Sequence, residues 1–426
     1  MSSVSILSGS RPAGRGTPTG RSGLSSTLVL ALGTLAVGTD AFVVAGFLPS
    51  MADELHVSST AAGQSVTVFA AAYAVLSPVL ATATVRLPRR ALLVAALITL
   101  GLANVGSALA PNLAVLLVSR VVAAAGAAAY TPTAGAVGAA LVRPELRTRA
   151  MAVVIGGLTA ATALGVPLGN LAEHWLGWRT ALSVVAGLCL LFALGVRLIM
   201  PALPGNVRVP LRTRLTVLRR PAVLAVLPLT VLGMGAAYTA YAYSVPVLRA
   251  VRVPDSADLW MLLLYGLGAV LGNLASGYAT DRWGSVRVLT TGYTGMVLAL
   301  GLLTWVAATH LSPALLVGVL VLLWGASSWC QTPAQQHRLI EIAPQEAPLV
   351  VSLNSSGIYL GIGLGTVLGG IALPHGTTLV CGLGAVLAIA ALVFLRITAR
   401  GGTQKLTRVP AAGCRHRAVT AGPACR

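Results

Sequence analysis

Asp40 and Arg120 are the only two formal charges lying well inside long apolar stretches of this chain. They are therefore the residues with most scope for chemistry. Asp40 is the single charge in the run Leu24 through Leu48. A helix of that length would be roughly 37 Å long, enough to cross a bilayer with some tilt. A carboxylate inside such a helix is costly unless it faces protein or water, which makes a functional site the default reading. Capping of a broken helix and a purely structural hydrogen bond are the alternatives. Asp40 precedes Pro49 by nine residues, about 13 Å below the face where that helix ends. Arg120 follows Asn112 by eight residues, about 12 Å below the same face. An unpaired charge at this depth costs several kcal/mol, so the two are expected to pair or to share water. A carboxylate that loses its arginine partner in apolar surroundings takes up a proton, so the chemistry on offer is a proton switch. A permanent pair that only orients two helices is the other reading. Thr131, eleven residues beyond Arg120, extends a polar stripe along the same helix face.

The rest of the composition says what must hold these residues. Of the 426 residues 56% are hydrophobic and only 9% are charged, and mean hydropathy is +0.86. Soluble domains carry about 25% charged residues, so this is an integral membrane protein with many spans. The net charge of +19 would suit a nucleic-acid binder. Here, however, the basic residues sit in short runs between apolar segments, which is a topology signal and excludes that class. The five cysteines, Cys189, Cys330, Cys381, Cys414 and Cys425, show no paired or metal-ligand spacing. The first three read as small core residues. There is no Gly-x-Ser-x-Gly, His-Glu-x-x-His or Walker sequence, one of which an ATP-driven pump would need. A membrane enzyme or sensor would need clustered catalytic groups or an attached soluble domain, and neither is present. No cofactor is expected.

Apolar segments predict twelve spans, near 25–48, 60–84, 91–110, 112–140, 149–172, 178–200, 222–248, 259–280, 288–309, 312–335, 349–373 and 376–396. No barrel-type alternation appears, so the fold class is an all-α membrane protein. Residues 1–23 read as a disordered cytoplasmic tail in front of an uncleaved first helix. Of the 29 Lys and Arg residues, 25 fall in the tails and in alternate loops. The opposite loops hold only Arg179, Arg249 and Arg252. The positive-inside rule then puts both termini in the cytoplasm and requires an even number of spans. The basic linker 201–221 divides two six-helix halves, 24–200 and 222–397, and 398–426 forms a basic cytoplasmic tail. The halves echo each other. Ala83, Thr84, Arg86 and Leu93 recur at an offset of 196 residues as Ala279, Thr280, Arg282 and Leu289.

With these loops in view the chain resembles the major facilitator superfamily, whose loop signature is Gly-x-Leu-Ala-Asp-Arg-x-Gly-Arg-Arg. The second copy keeps Gly277, Asp281, Arg282, Gly284 and Arg287, while the first has Ala81, Val85 and Pro88 in place of Gly, Asp and Gly. The resemblance implies a cytoplasmic gate at Arg86, Asp281, Arg282, Gly284 and Arg287, with Asp281 as its acid. Leu116-Leu-Val-Ser-Arg120 is similar to a second family signature. Gly165-Val-Pro167-Leu-Gly169, followed by Gly177-Trp178-Arg179, looks like the exporter variant of the antiporter signature. Ordinary helix packing and kinking is the bland reading of those glycines and that proline. Asp40-Ala41-Phe42, followed by Gly46, Leu48 and Pro49, is similar to the end of the first span in bacterial twelve-span drug:proton antiporters of the chloramphenicol and arabinose-efflux-like type. The acid sits one residue earlier than usual, about 100° around the helix.

That resemblance implies two pseudo-symmetric six-helix halves and proton-coupled export of small amphipathic molecules or drugs across the inner membrane. Its partners would be a small-molecule substrate, protons and the lipid bilayer, with no nucleic acid, and the protein would act as a monomer. Asp40 and Arg120 would serve proton coupling and translocation. Phe42, Thr131, Tyr238, Tyr241, Trp324 and Gln331 would lie near a central cavity, with Tyr243 and Trp329 beside them. Packing or interface anchoring is the alternative for the aromatics. An uptake permease and an uncoupled facilitator remain the competing transporter readings. Gly361, Gly365 and Gly369 repeat every four residues and read as a helix-packing stripe.

Overall fold

The computed structural model describes residues 20–84, 86–143, 147–205, 221–309, 314–343 and 347–406. Nearly all of the expected N-terminal tail, most of the linker 201–221 and the tail beyond residue 406 lie outside them. Among the described residues every regular element is a helix. Eleven helical segments are long and apolar enough to cross a membrane, and Val153–Gly165 is a shorter apolar segment in the place of the remaining expected span.

In chain order the first half contains α1 (Gly20–Val43), α2 (Leu48–Glu54), α3 (Ser59–Ala83), α4 (Arg89–Ala108), α5 (Leu113–Ala140) and α6 (Arg147–Ile199). The second contains α7 (Pro221–Tyr241), α8 (Ser244–Ala250), α9 (Asp255–Trp283), α10 (Ser285–Thr309), α11 (Ala314–Trp329), α12 (Gln331–Ile342), α13 (Ala347–Ala372) and α14 (Thr377–Leu406). Two helices open on side-chain caps that accept from free backbone donors. Ser58 accepts from the Ala61 N–H, and Asn112 accepts from the Val115 N–H, each at 3.1 Å.

Several spans are built differently from the continuous segments that hydropathy predicts. The first breaks after Val43 into a short 3-10 turn and then α2. The seventh breaks after Tyr241, and the tenth is locally interrupted at Cys330, which keeps helical dihedrals and still donates to the Ala326 carbonyl at 3.0 Å. A proline lies in the first turn after each of these points, at Pro49, Pro246 and Pro333. Its ring lacks the N–H that would continue the helix and clashes with the preceding turn. The fifth and sixth spans, by contrast, run together as α6 through one reversed residue, Gly177, at φ +73°. Glycine takes that left-handed conformation without a Cβ clash.

The internal repeat is visible in the backbone as well. His56 and Arg252 are the only described non-glycine residues with positive φ, at 54° and 56°, and they lie 196 residues apart. Each ends a short helix with the same pair of bonds. Val57 and Val253 donate back to Ala52 and Leu248 at 2.9 and 3.2 Å, while His56 and Arg252 donate to Asp53 and Arg249. This is the Schellman closure, which satisfies carbonyls left open at a helix end. The offset found in one loop pair thus recurs at the opposite end of the bundle.

Within the first half α1 packs along α6 and α4 packs on both α5 and α6. Within the second, α7 packs on α13, and α9 on α11. The glycine stripe of α13 faces α7. A Cβ at Gly361, Gly365 or Gly369 would lie 2.6, 2.5 or 2.1 Å from a carbonyl oxygen of that helix. The halves meet along α3 with α13 and along α6 with α9. Their named contacts run from Thr60, which donates to the Gly370 carbonyl at 2.9 Å, to Tyr73 stacked on Tyr359 at 3.8 Å midway along both helices. They therefore occupy the half of the bundle away from the basic loops. Arg179 fastens that same end. It pairs with Glu54 at 3.1 Å, donates to the Ala108 and Ala110 carbonyls at 2.8 and 2.9 Å, and covers the buried Trp178 ring at 4.3 Å.

Candidate functional site

Asp40 lies one turn before the end of α1, and Arg120 lies two turns into α5, behind the Asn112 cap. The two are in contact. Arg120 Nη1 is 2.6 Å from Asp40 Oδ1, and Nη2 donates to the Asp40 carbonyl at 3.2 Å. Their side chains are 1% and 0% exposed. A buried pair of this kind is costly to break, because either partner alone becomes an uncompensated charge. The Arg120 guanidinium also lies over the Phe69 ring of α3, 4.5 Å from its centroid, a cation–π contact that the apolar surroundings strengthen. Asp40 Oδ2 and Arg120 Nε have no hydrogen-bond partner among the described residues. The pair thus keeps a carboxylate oxygen and the Nε–H without partners.

Phe69 connects the pair to the seam between the halves. Its ring is 6.4 Å from Tyr73 and 6.1 Å from Tyr359, and Tyr73 and Tyr359 are stacked across the seam. A second bridge starts two residues after Asp40, where Phe42 meets Trp329 of α11 edge-on at 5.9 Å. Thr131 is half-buried, and its hydroxyl is not among the groups bonded to the pair; its side chain lies against Tyr73 instead.

Tyr238, Tyr241 and Trp324 come together with Tyr265, which the sequence did not single out. Tyr241 stacks on Tyr265 at 4.3 Å. Tyr238 meets Tyr241 at 5.0 Å, and Trp324 meets Tyr265 at 4.9 Å. All four rings are buried, and the Tyr238 and Tyr241 hydroxyls and the Trp324 indole N–H have no partners among the described residues. Gln331 stands apart from this group. It donates to the Ser328 carbonyl at 2.8 Å and accepts from Tyr293 at 3.1 Å. Tyr243 donates to the Thr366 carbonyl at 3.1 Å and so joins the turn after α7 to α13.

The expected gate residues Arg86, Asp281, Arg282 and Arg287 are exposed. Gly284 turns the chain from α9 into α10 at φ +81°. Arg282 donates to Tyr278 at 3.3 Å, and no ion pair to Asp281 forms among the described residues. The Gly165-Val-Pro167-Leu-Gly169 motif has a plain geometric consequence. A Cβ at Gly165 would lie 2.7 Å from Phe42 Cβ, and one at Gly169 would lie 2.3 Å from the Val43 carbonyl oxygen. The motif therefore lets α6 touch α1 immediately after Asp40. Gly157, outside any motif, does the same further along, where a Cβ would fall 2.1 Å from the Ala31 oxygen.

Comparison with known proteins places this arrangement. The profile of the Major Facilitator Superfamily matches residues 30–346 and, in a second match, 253–420. The chain is 30% identical over 377 residues to the inner membrane transport protein YdhP of Escherichia coli (strain K12), covering 88% of this chain and 95% of that one. It is 32% identical over 361 residues to a chloramphenicol resistance protein of Streptomyces lividans, covering 82% of this chain and 89% of that one. In three dimensions it is similar to a D-xylose-proton symporter, with a TM-score of 0.73 at 17% identity over 87% of this chain and 97% of that one. That likeness is one of fold. With a helical bundle of paired halves, a repeat at a fixed offset and matches that span most of its length, the chain belongs to the major facilitator superfamily, a family of membrane transporters and not of enzymes.

Proposed function

We propose that the protein is a proton-coupled exporter of small amphipathic molecules, chloramphenicol among the candidates, and that it works as a monomer by alternating access between its halves. The observation that carries this reading is the fully buried Asp40–Arg120 pair with its free carboxylate oxygen. The likeness to the Streptomyces resistance protein and the Gly165–Gly169 motif support export over uptake. In this mechanism the ionised pair holds Arg120 on Asp40 and Phe69. A proton delivered to Asp40 removes the charge that holds the guanidinium. Movement of Arg120 off Phe69 then disturbs the Tyr73–Tyr359 stack and so biases which end of the seam closes. The tyrosine and tryptophan group of the second half supplies aromatic faces and unpaired donors toward the substrate. The test is resistance profiling. The full chain expressed in a drug-sensitive host should raise tolerance to chloramphenicol or related compounds, and a protonophore should cancel the gain. Tolerance that survives the protonophore would indicate an uncoupled facilitator.

The arginine distribution supports a cytoplasmic location for both termini. Reporters fused after Arg220 and after Arg400 should both give a cytoplasmic signal, and an external signal from either would overturn the orientation. On this assignment the seam contacts lie on the outer side and the present state is closed to the outside. The gate at Asp281 would then act in the opposite state, closing the inner side. Asp281→Asn is expected to lower transport several-fold with expression unchanged. Unaltered transport kinetics in that variant would reduce Asp281 to a solvated surface charge of little energetic weight.

A further inference from the structure

A groove of about 530 Å³ lies between the second half of α9 and the start of α10, with Ala326 and Ser327 of α11 along its floor. Small side chains make it. Gly272 and Ala279 line it on α9 and Gly292 lines it on α10, the two glycines set closely against Ala326 and Cys330. Its polar members turn inward, since the Ser276 hydroxyl donates to the Cys330 carbonyl and the Cys330 thiol to the Ser327 carbonyl. The Thr291 hydroxyl likewise donates to the Val288 carbonyl at 2.9 Å, so that apart from Arg287 and Ser327 what faces the groove is apolar. From Gly272 to Trp283 is eleven residues of helix, about 16 Å. That is close to the depth of one hydrocarbon leaflet, half of about 30 Å. Trp283 and Arg287 stand at the mouth, where the chain turns at Gly284. Trp283 is 56% exposed, as an indole at headgroup level is expected to be. Arg287 and its neighbour Arg282 are exposed, and no carboxylate pairs with either among the described residues. With Asp281 counted, the turn carries a net charge of +1.

We propose that this groove is a binding site for one anionic phospholipid, with an acyl chain along α9 and the phosphate on Arg287. Length, apolar lining and charge point to the same occupant. A soluble anion would use the arginine and ignore the groove, and a neutral lipid would use the groove and ignore the arginine. Native mass spectrometry of the detergent-purified full chain, titrated with dioleoyl-phosphatidylglycerol or dioleoyl-phosphatidylcholine, separates these cases. The wild type should prefer the glycerol lipid. Arg287→Gln should lower its affinity about fivefold while leaving the choline lipid unchanged, and Arg287→Lys should keep the preference. Ala279→Phe, which fills the groove, should weaken both lipids. If that variant fails to fold, the Gln and Lys variants still decide the matter. Equal binding of the two lipids by wild type and Arg287→Gln would overturn the proposal. Competition by millimolar inorganic phosphate that abolishes the preference would overturn it too, by reducing the site to a surface anion contact.

Discussion

Asp40→Asn is expected to fold, to bind substrate and to lose uphill export. Asparagine keeps the volume of the side chain and an oxygen that can accept from Arg120. The Asp40 carbonyl still receives Nη2 at 3.2 Å, and the Phe69 face still covers the guanidinium. The arginine is therefore left poorly compensated but not bare, which limits the loss of stability that follows when a buried pair loses one partner, about 3–5 kcal/mol in the worst case. The substitution removes the only group of the pair that can take and release a proton. In inverted vesicles with an imposed pH difference of one unit, exchange of one proton per molecule sustains about a tenfold substrate gradient. The wild type should build such a gradient for an exported compound. The variant should only equilibrate it, while substrate-induced quenching of tryptophan fluorescence persists. If Asp40→Asn still builds a gradient that a protonophore collapses, the coupling site is elsewhere and the pair serves only to orient α1 and α5.

The two residues behind this prediction were legible because charge is rare in these helices. Counting residues from Pro49 and from Asn112 put Asp40 and Arg120 at one depth, and the structure has them 2.6 Å apart. The helix count was legible for a similar reason, since apolar length and arginine asymmetry are strong signals. Less of the aromatic surroundings could be read. Tyr241 and Trp324 stood out in apolar runs, but Phe69, Tyr73, Tyr265 and Tyr359 did not. Their significance lies in which helix each one faces. Tyr73 and Tyr359 are 286 residues apart in the chain and meet only because the two halves close on one another. The helix breaks after Val43 and Tyr241 are not visible in hydropathy because its window averages over an interruption, even with a proline marking each one. In the sequence Arg179 is part of a motif and one of three basic residues in the opposite loops. Its work is to gather two helix-end carbonyls and Glu54 at one corner.

Glycine motifs can be tested by the same contrast between pattern and position. Gly169→Ala should be strongly harmful, and Gly156→Ala, in the same helix, should be close to neutral. At Gly169 the new Cβ would lie 2.3 Å from the Val43 carbonyl oxygen and 3.1 Å from a Val43 methyl. A backbone carbonyl in a helix cannot swing aside, so α6 and α1 must separate until the contact becomes ordinary. Overpacking of this kind typically costs about 1–3 kcal/mol. Val43 is three residues from Asp40, and the same displacement shifts the carboxylate that Arg120 meets at 2.6 Å. Lowered thermal stability should therefore come with loss of export, and Gly165→Ala, which meets Phe42 Cβ at 2.7 Å, should follow in a milder form. At Gly156 nothing lies within 4 Å of the added atom, and alanine there gains helix propensity of about 1 kcal/mol at most. Melting curves and export assays on the two single variants decide the outcome. Equal stability and equal transport would mean that the motif does not act through the close approach of α6 to α1. A fall confined to Gly169→Ala would tie the motif to the placement of Asp40.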